Sequence, residues 1–538
     1  MRRLLAVLLL CPLALRAQPR GGAGAPYDLV ITGGRIVDGT GRAAFAGDVA
    51  VRGGWIVQVA EPGALRRARA TTVLDATGLV VAPGFVDVHS HSIEDAFTSA
   101  NRLNEAVVRM GVTTVVGGPD GYFAPFHMRM IMDSLRHHGS GTHVAMYIGH
   151  NGVREAVMGL AQRAPTADEL AKMQALVREG MELGAVGLSS GLMYEPGMFS
   201  RTDELVALAK EVAPFRGIYD SHVRDPGHRL VASDRETIEI GERAGIVPKI
   251  AHEKVVGLEN AGLLDSVIAL VEGARARGVA AVTDQYPYDG AATARLEDII
   301  VVPEAMAKAP GFDLRAQLRD PAVRAQLKRT SEQGIDGGFA WLKATGYSQM
   351  RITSSRDEPA LVGQYLSELA AARRLDPFDL VAELVLKATV PIGITLGAVR
   401  EADVRRLLVQ PWNMVASDGA YVGAREGARG HPRSTGTFPR VLGRYVREQR
   451  LLTLEEAVRK MTAFPADVVG LHDRGRVAEG LAADLVVFDA RTIRDESTWE
   501  EPTRLATGVR HVVVAGVPVL RDGAMTGAAP GRFLPARH

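Results

Sequence analysis

Seven polar residues stand where runs of apolar and β-branched residues stop. They are His89 and His91 in "GFVDVHSH", Asp120 in "VTTVVGGPDG", His150 in "HVAMYIGH", His222 in "GIYDSH", His252 in "VPKIAH" and Asp418 in "WNMVASDG". Imidazole and carboxylate are the donors that divalent metals take when no thiolate competes, and they suit Zn²⁺, Mn²⁺, Fe²⁺ or Co²⁺. Zinc is the default among these for hydrolysis, with one or two ions held. His89 and His91 are two residues apart, so in a strand both point the same way and both can reach one ion. Each signal is weak alone. A single strand-end histidine is more often a hydrogen-bonded core residue, and Pro119-Asp120-Gly121 reads locally as ordinary turn chemistry. The convergence of five histidines and two carboxylates carries the reading.

Convergence needs elements that bring these positions together. The apolar runs recur at intervals of about 30 residues, the length of a strand–helix–strand unit. Helix starts of the Ser/Thr-x-x-Glu type fall between them, at Thr166 with Glu169, Ser233 with Glu236 and Thr453 with Glu456. Residues 290–355 have mixed texture and read as an insertion, after which "LVGQYLSELAAARR" and "PFDLVAELVLK" read as helices. Eight units predict an α/β fold, a (β/α)₈ TIM-like barrel over 83–470 whose strand ends form the site. Residues 27–82 and 471–538 alternate apolar and polar residues between glycine-rich turns, the pattern of antiparallel strands. Neither end has enough strands for a sheet of its own, so the two are expected to combine in one small β-sandwich domain.

The chain has 538 residues, 46% hydrophobic and 23% charged, with a net charge of +1. No basic stripe or basic–aromatic interleaving points to nucleic acid. "MRRLLAVLLLCPLALRAQ" has a basic start, a short apolar stretch and a small residue at Ala17, which predicts a signal peptide over 1–17, a linker over 18–26 and an exported, periplasmic or secreted protein. The apolar stretch is too short for a stable membrane span. Cys11 is the only cysteine, so the processed chain would have no disulfide, thiolate ligand or cysteine nucleophile.

"PGFVDVHSH", "GVTTVV", "GAVGLSSGLMYEPG", "DSHVRD", "IAHEKVVG", "DQYPYDG", "ASDG", "HPRSTGTFPRVLGRYVRE" and "GLAADLVVFDA" together resemble the amidohydrolase superfamily, and within it the D-aminoacylase (N-acyl-D-amino-acid deacylase) family. The resemblance implies that His89, His91, His222, His252 and Asp418 are metal ligands. That family usually has cysteine at the end of the second strand, and this chain has Asp120. Other amidohydrolases hold a carboxylated lysine at the end of the fourth strand, where this chain has Ser189 and Ser190, so Asp120 is the candidate bridging ligand. The implied chemistry is hydrolysis of an N-acyl-D-amino acid by metal-activated water, with Asp418 as the proton shuttle. The implied partner is a small molecule with a free carboxylate, held by Tyr194, Lys254 and Arg433, with Tyr286 and Arg224 nearby. His150 is expected to support a ligand. The remaining histidines, His431 among them, have no such placement. A cyclic amide or dipeptide substrate, or a non-catalytic exported metal- or ligand-binding barrel, are the competing readings.

Overall fold

A computed structural model describes residues 26–93, 101–335, 338–420 and 430–536. The segment 1–17, expected to be a signal peptide, and all but the last residue of the linker lie outside the described residues. The fold is α/β with a mixed sheet.

The apolar runs form short strands that are buried along their whole length, as Val112–Gly117, Gly187–Gly191 and Ile218–His222 show. Burial on both faces is what parallel strands with helical crossovers require. Phe85–Asp87, Val112–Gly117 and His143–Met146 pair in parallel in that order. Ile148–Gly149, Gly187–Gly191, Ile218–His222, Val247–Ile250, Val282–Gln285 and Asn413–Val415 continue, again in parallel. Gly419–Ala420, just after Asn413–Val415, forms a separate parallel pair with Ser90–His91, just after Phe85–Asp87.

Helices follow the strands. Ala167–Glu182 starts with the expected reciprocal cap: Glu169 N donates to Thr166 Oγ1 at 3.3 Å and Thr166 N to Glu169 Oε2 at 2.7 Å. Thr453 Oγ1 likewise accepts from Glu456 N at 3.1 Å. Ser233 does not cap. Its helix begins a turn earlier, at Leu230, and Ser233 Oγ donates to Arg229 O while Glu236 binds Arg224.

The two ends of the chain share one nine-stranded sheet, joined where Leu485–Phe488 runs antiparallel to Val80–Pro83. The expected antiparallel pairing is only part of it, because Tyr27–Ile36 runs parallel to Ala70–Asp75 and to Val80–Pro83. Alternation along a strand reports which face is buried, not the direction of its neighbour. Between Val282–Gln285 and Asn413–Val415, strands Gly290–Arg295, Gly393–Ala398 and Ile352–Ser354 form a separate antiparallel sheet. Its apolar cluster includes Leu296, Leu327, Phe378 and Leu396, so helices Leu366–Arg373 and Pro377–Lys387 belong to this unit, whereas composition placed its end near 355.

A buried ionic joint ties the terminal sheet to the parallel strands. His143 Nε2 lies 3.2 Å from Asp484 Oδ1, Ala515 N donates to the same oxygen at 2.7 Å, and Arg474 Nη1 pairs with Asp484 Oδ2. Among the described residues, no helix is long and apolar enough to cross a membrane.

Candidate metal centre and active site

The strand ends converge. Asp120 lies at the centre, with Oδ1 3.6 Å from His89 Nε2, 3.4 Å from His222 Nδ1 and 3.7 Å from His252 Nε2, and Oδ2 3.4 Å from His91 Nε2. Asp418 Oδ1 is 3.5 Å from His89 Nε2 and 3.4 Å from His91 Nε2. His252 Nε2 and His222 Nδ1 are 2.8 Å apart. Asp120, His252 and Asp418 have φ of 58°, 37° and 47°, in the left-handed region that costs a non-glycine residue about 1–3 kcal/mol. Two of these conformations are held by hydrogen bonds: Asp418 N donates to His89 O at 2.9 Å, and His252 N to Asp284 Oδ1 at 2.7 Å.

This donor set fits a divalent metal. The ligand atoms of His89, His91 and Asp120 lie within 4.8 Å of one another, as do those of His89, His252 and Asp418, and those of Asp120, His222 and His252. Among the described residues, both ring nitrogens of His89 and Oδ1 of Asp120 are buried without a hydrogen-bond partner, a costly arrangement unless another group satisfies them. Burial pushes the His252 imidazole down to about 3 and that of His89 well below its ordinary value, which leaves neutral rings with a lone pair to offer. Burial alone would raise Asp120 and Asp418. The combined pull of His222, His252 and His91 on Asp120, and of Arg433 and the surrounding imidazoles on Asp418, outweighs it and holds both well below the usual carboxylate range. The overlapping groupings share His89, Asp120 and His252, as donors serving one ion or two adjacent ones would.

Basic and tyrosyl groups line the same space. Arg433 Nη1 is 2.7 Å from Asp418 Oδ2, its guanidinium lies 4.6 Å from the Tyr286 ring centroid, and its Nε is buried without a partner among the described residues. Lys254 Nζ is 2.8 Å from His252 Nδ1 and 5.3 Å from the Tyr286 ring centroid, and burial pushes its ammonium down to about 8. The Tyr194 hydroxyl lies 3.5 Å from His222 Nδ1. The Tyr286 hydroxyl donates to Ala291 O.

Two expected site residues are occupied elsewhere. Arg224 spends its guanidinium on Glu236, Ser200 O and Met198 O, tying the loop after Ile218–His222 to the following helix. His150 starts its helix, with Nε2 2.9 Å from Glu204 Oε1, a carboxylate that Arg154 also binds through both oxygens at 2.7 Å. It belongs to none of the His/Asp groupings.

Other residues were missed. Fully buried Lys249 has Nζ 2.5 Å from Asp220 Oδ1 and also pairs with Asp284 Oδ2, the carboxylate whose other oxygen holds His252 N. Asp87 accepts from Ser417 N at 2.9 Å and so braces the residue before Asp418. The available signal was Asp-x-His, present twice as Asp87/His89 and Asp220/His222, because i and i+2 share a face.

The chain matches the amidohydrolase family over residues 72–520. It belongs to that family. Within it this amidohydrolase groups with the D-aminoacylases. It is 34% identical over 531 residues to a D-aminoacylase of Alcaligenes xylosoxydans xylosoxydans, covering 95% of this chain and 98% of the relative. The crystal structure of N-acyl-D-glutamate deacylase from Bordetella bronchiseptica, complexed with zinc and a phosphonate inhibitor that mimics the reaction's tetrahedral intermediate, is 33% identical. It covers 95% of this amidohydrolase and 100% of that chain, with a TM-score of 0.76. A D-aminoacylase structure concerned with the binuclear metal centre, one-metal activation and second-metal attenuation is 32% identical, with coverage of 95% and 100% and a TM-score of 0.75.

Proposed function

We propose that this amidohydrolase cleaves the amide bond of N-acyl-D-amino acids, giving a carboxylate and a D-amino acid. The observation that carries the reading is one juxtaposition: a cluster of buried imidazoles and two ionised carboxylates directly against Arg433, Lys254 and Tyr286. The kinship with deacylases supports the substrate class and the D configuration.

In this reading His89, His91, Asp120, His222, His252 and Asp418 hold one or two divalent ions, zinc first among them. A bound ion of this kind polarises an amide carbonyl and acidifies water. The substrate carboxylate binds to Arg433 through its unpaired Nε, and to Lys254. Tyr194, whose hydroxyl is kept protonated by burial and by the nearby Asp120 charge, turns a donor toward the reacting carbonyl. Asp418 takes the proton from the attacking water and returns it to the leaving nitrogen as the C–N bond breaks.

The same proposal covers organisation and location. With His143–Met146 and Ile148–Gly149 taken as one strand, the parallel strands number eight and are read as a (β/α)₈ barrel over 83–470 with an insertion over 290–398, and the terminal sheet over 27–82 and 471–538 as part of a β-sandwich. Export after cleavage behind Ala17 is supported by the basic start and apolar stretch, and N-terminal sequencing of the mature protein tests it. Activity on matched N-acetyl-D- and N-acetyl-L-amino acids tests the function. Preference for D-acids supports it. Equal rates on both configurations, or turnover confined to cyclic amides, contradict it.

A further inference from the structure

His431 stands two residues before Arg433 in "HPR" and is 4% exposed. Its Nδ1 accepts the Arg433 backbone N–H at 3.1 Å, and its Nε2 lies 3.3 Å from Gly290 O. A ring that accepts at Nδ1 and donates at Nε2 is a single neutral tautomer. Burial pushes this imidazole well below its ordinary value, and the Arg433 charge acts in the same sense. The Arg433 N–H opens helix Arg433–Arg440, where first-turn amides have no partner inside the helix, so His431 satisfies a donor that would otherwise be orphaned.

Three rings enclose His431 edge-on, with centroids at 5.5 Å for Tyr286, 5.6 Å for Tyr288 and 4.5 Å for Trp499. Trp499 arrives from the C-terminal part of the chain and donates Nε1 to Asp289 Oδ1 at 3.2 Å. Its approach requires glycine at 290, because a Cβ there would lie 2.4 Å from the indole. The same segment grips the turn around Arg433: Ser497 Oγ donates to Pro432 O at 3.1 Å, and Thr435 Oγ1 to Pro502 O at 2.8 Å. Glu500 pairs with Arg351 of the insertion. His431 is thus the peg on which the terminal segment and the start of strand Gly290–Arg295 meet the backbone of Arg433.

We propose that His431 is a positioning residue of the carboxylate subsite: its Nδ1 fixes the Arg433 backbone, and with Trp499 it aims the guanidinium at the substrate carboxylate. This deepens the deacylase reading and rests on it. A ring that only filled space would affect stability but would not distinguish a carboxylate from its neutral amide.

The test measures kcat and KM for N-acetyl-D-leucine and N-acetyl-D-leucinamide, with a thermal melt for each variant. His431→Gln, which lacks the acceptor at the Nδ1 position, raises KM for the acid about tenfold, the size of one charged-group hydrogen bond, and leaves KM for the amide unchanged. His431→Asn, whose amide oxygen replaces Nδ1, restores KM to about the native value. Trp499→Leu, at a half-buried position, shows the same selective rise in smaller measure. Added to Arg433→Met, His431→Gln raises KM no further, because the group it positions is gone. An unmoved KM for the acid in both His431→Gln and Trp499→Leu, equal losses on acid and amide, or full additivity with Arg433→Met overturns the proposal. A native enzyme that does not distinguish acid from amide, or hydrolyses neither, overturns the deacylase reading and the subsite with it.

Discussion

Arg433 Nη1 lies 2.7 Å from Asp418 Oδ2, so one guanidinium pairs with the carboxylate proposed as proton shuttle and is the group proposed to bind the substrate carboxylate. Its unpaired Nε is the donor left for a second anion. Arg433→Met is expected to lose about 1.5–3 kcal/mol of carboxylate binding, roughly 10- to 150-fold in KM. Steady-state kinetics on an N-acyl-D-amino acid measure this, and a KM within twofold of native contradicts the assignment.

Asp120 faces all four histidines of the cluster. Asp120→Ala is expected to lose metal, with at least a tenfold fall in activity, while the melt stays close to native because the turn conformation survives at Gly118 and Gly121. Asp120→Cys offers a softer donor at the same place and is expected to retain metal and shift preference toward softer ions. Elemental analysis of the purified variants reads both, and native metal content in Asp120→Ala returns Asp120 to a turn residue.

Lys249 is the buried counter-ion of Asp220 and Asp284. Removing one partner of such a pair leaves uncompensated charge, so Lys249→Met is expected to cost about 3–5 kcal/mol in denaturant unfolding. The double replacement of Lys249 and Asp220 by apolar residues is expected to recover part of it. A single variant within about 1 kcal/mol of native would show that the triad contributes little.

Asp484 joins the terminal sheet to the parallel strands. Burial raises its carboxyl, but the neighbouring charges of His143 and Arg474 outweigh this and hold it well below the usual range. A folded value below the unfolded one means its stabilisation is fully present above the unfolded pKa of about 3.9 and is lost as pH falls toward the folded value. Asp484→Asn is therefore expected to lower stability at pH 7 and to flatten its fall between about pH 5 and pH 2. Urea unfolding across that range measures it, and an unchanged acid limb removes Asp484 from the account.

The parallel strands and the cluster of donors at their ends were legible for one physical reason: a buried strand reads as an unbroken apolar run, and a polar residue at its end stands out. Asp120 was legible only through its place in that series. Strand direction in the terminal sheet was not, since an apolar–polar pattern such as that of Ala70–Asp75 reports the buried face and not whether Tyr27–Ile36 runs parallel or antiparallel beside it. The extent of the insertion was hidden because Gly393–Ala398 shares its texture with the parallel strands. Arg224 had the right position but the wrong neighbours, since Glu236 and Ser200 lie in other segments. Lys249 is paired to Asp220 and Asp284, and the His431 ring is seated against Gly290 and Trp499, partners far along the chain that local sequence does not reveal.

The most direct measurement is the rate of N-acetyl-D-leucine hydrolysis by protein stripped of metal with a chelator, before and after zinc is returned, with bound zinc counted in parallel. The account predicts a rate near zero when stripped and recovery in step with zinc bound. Full activity in protein shown to be free of metal would contradict it.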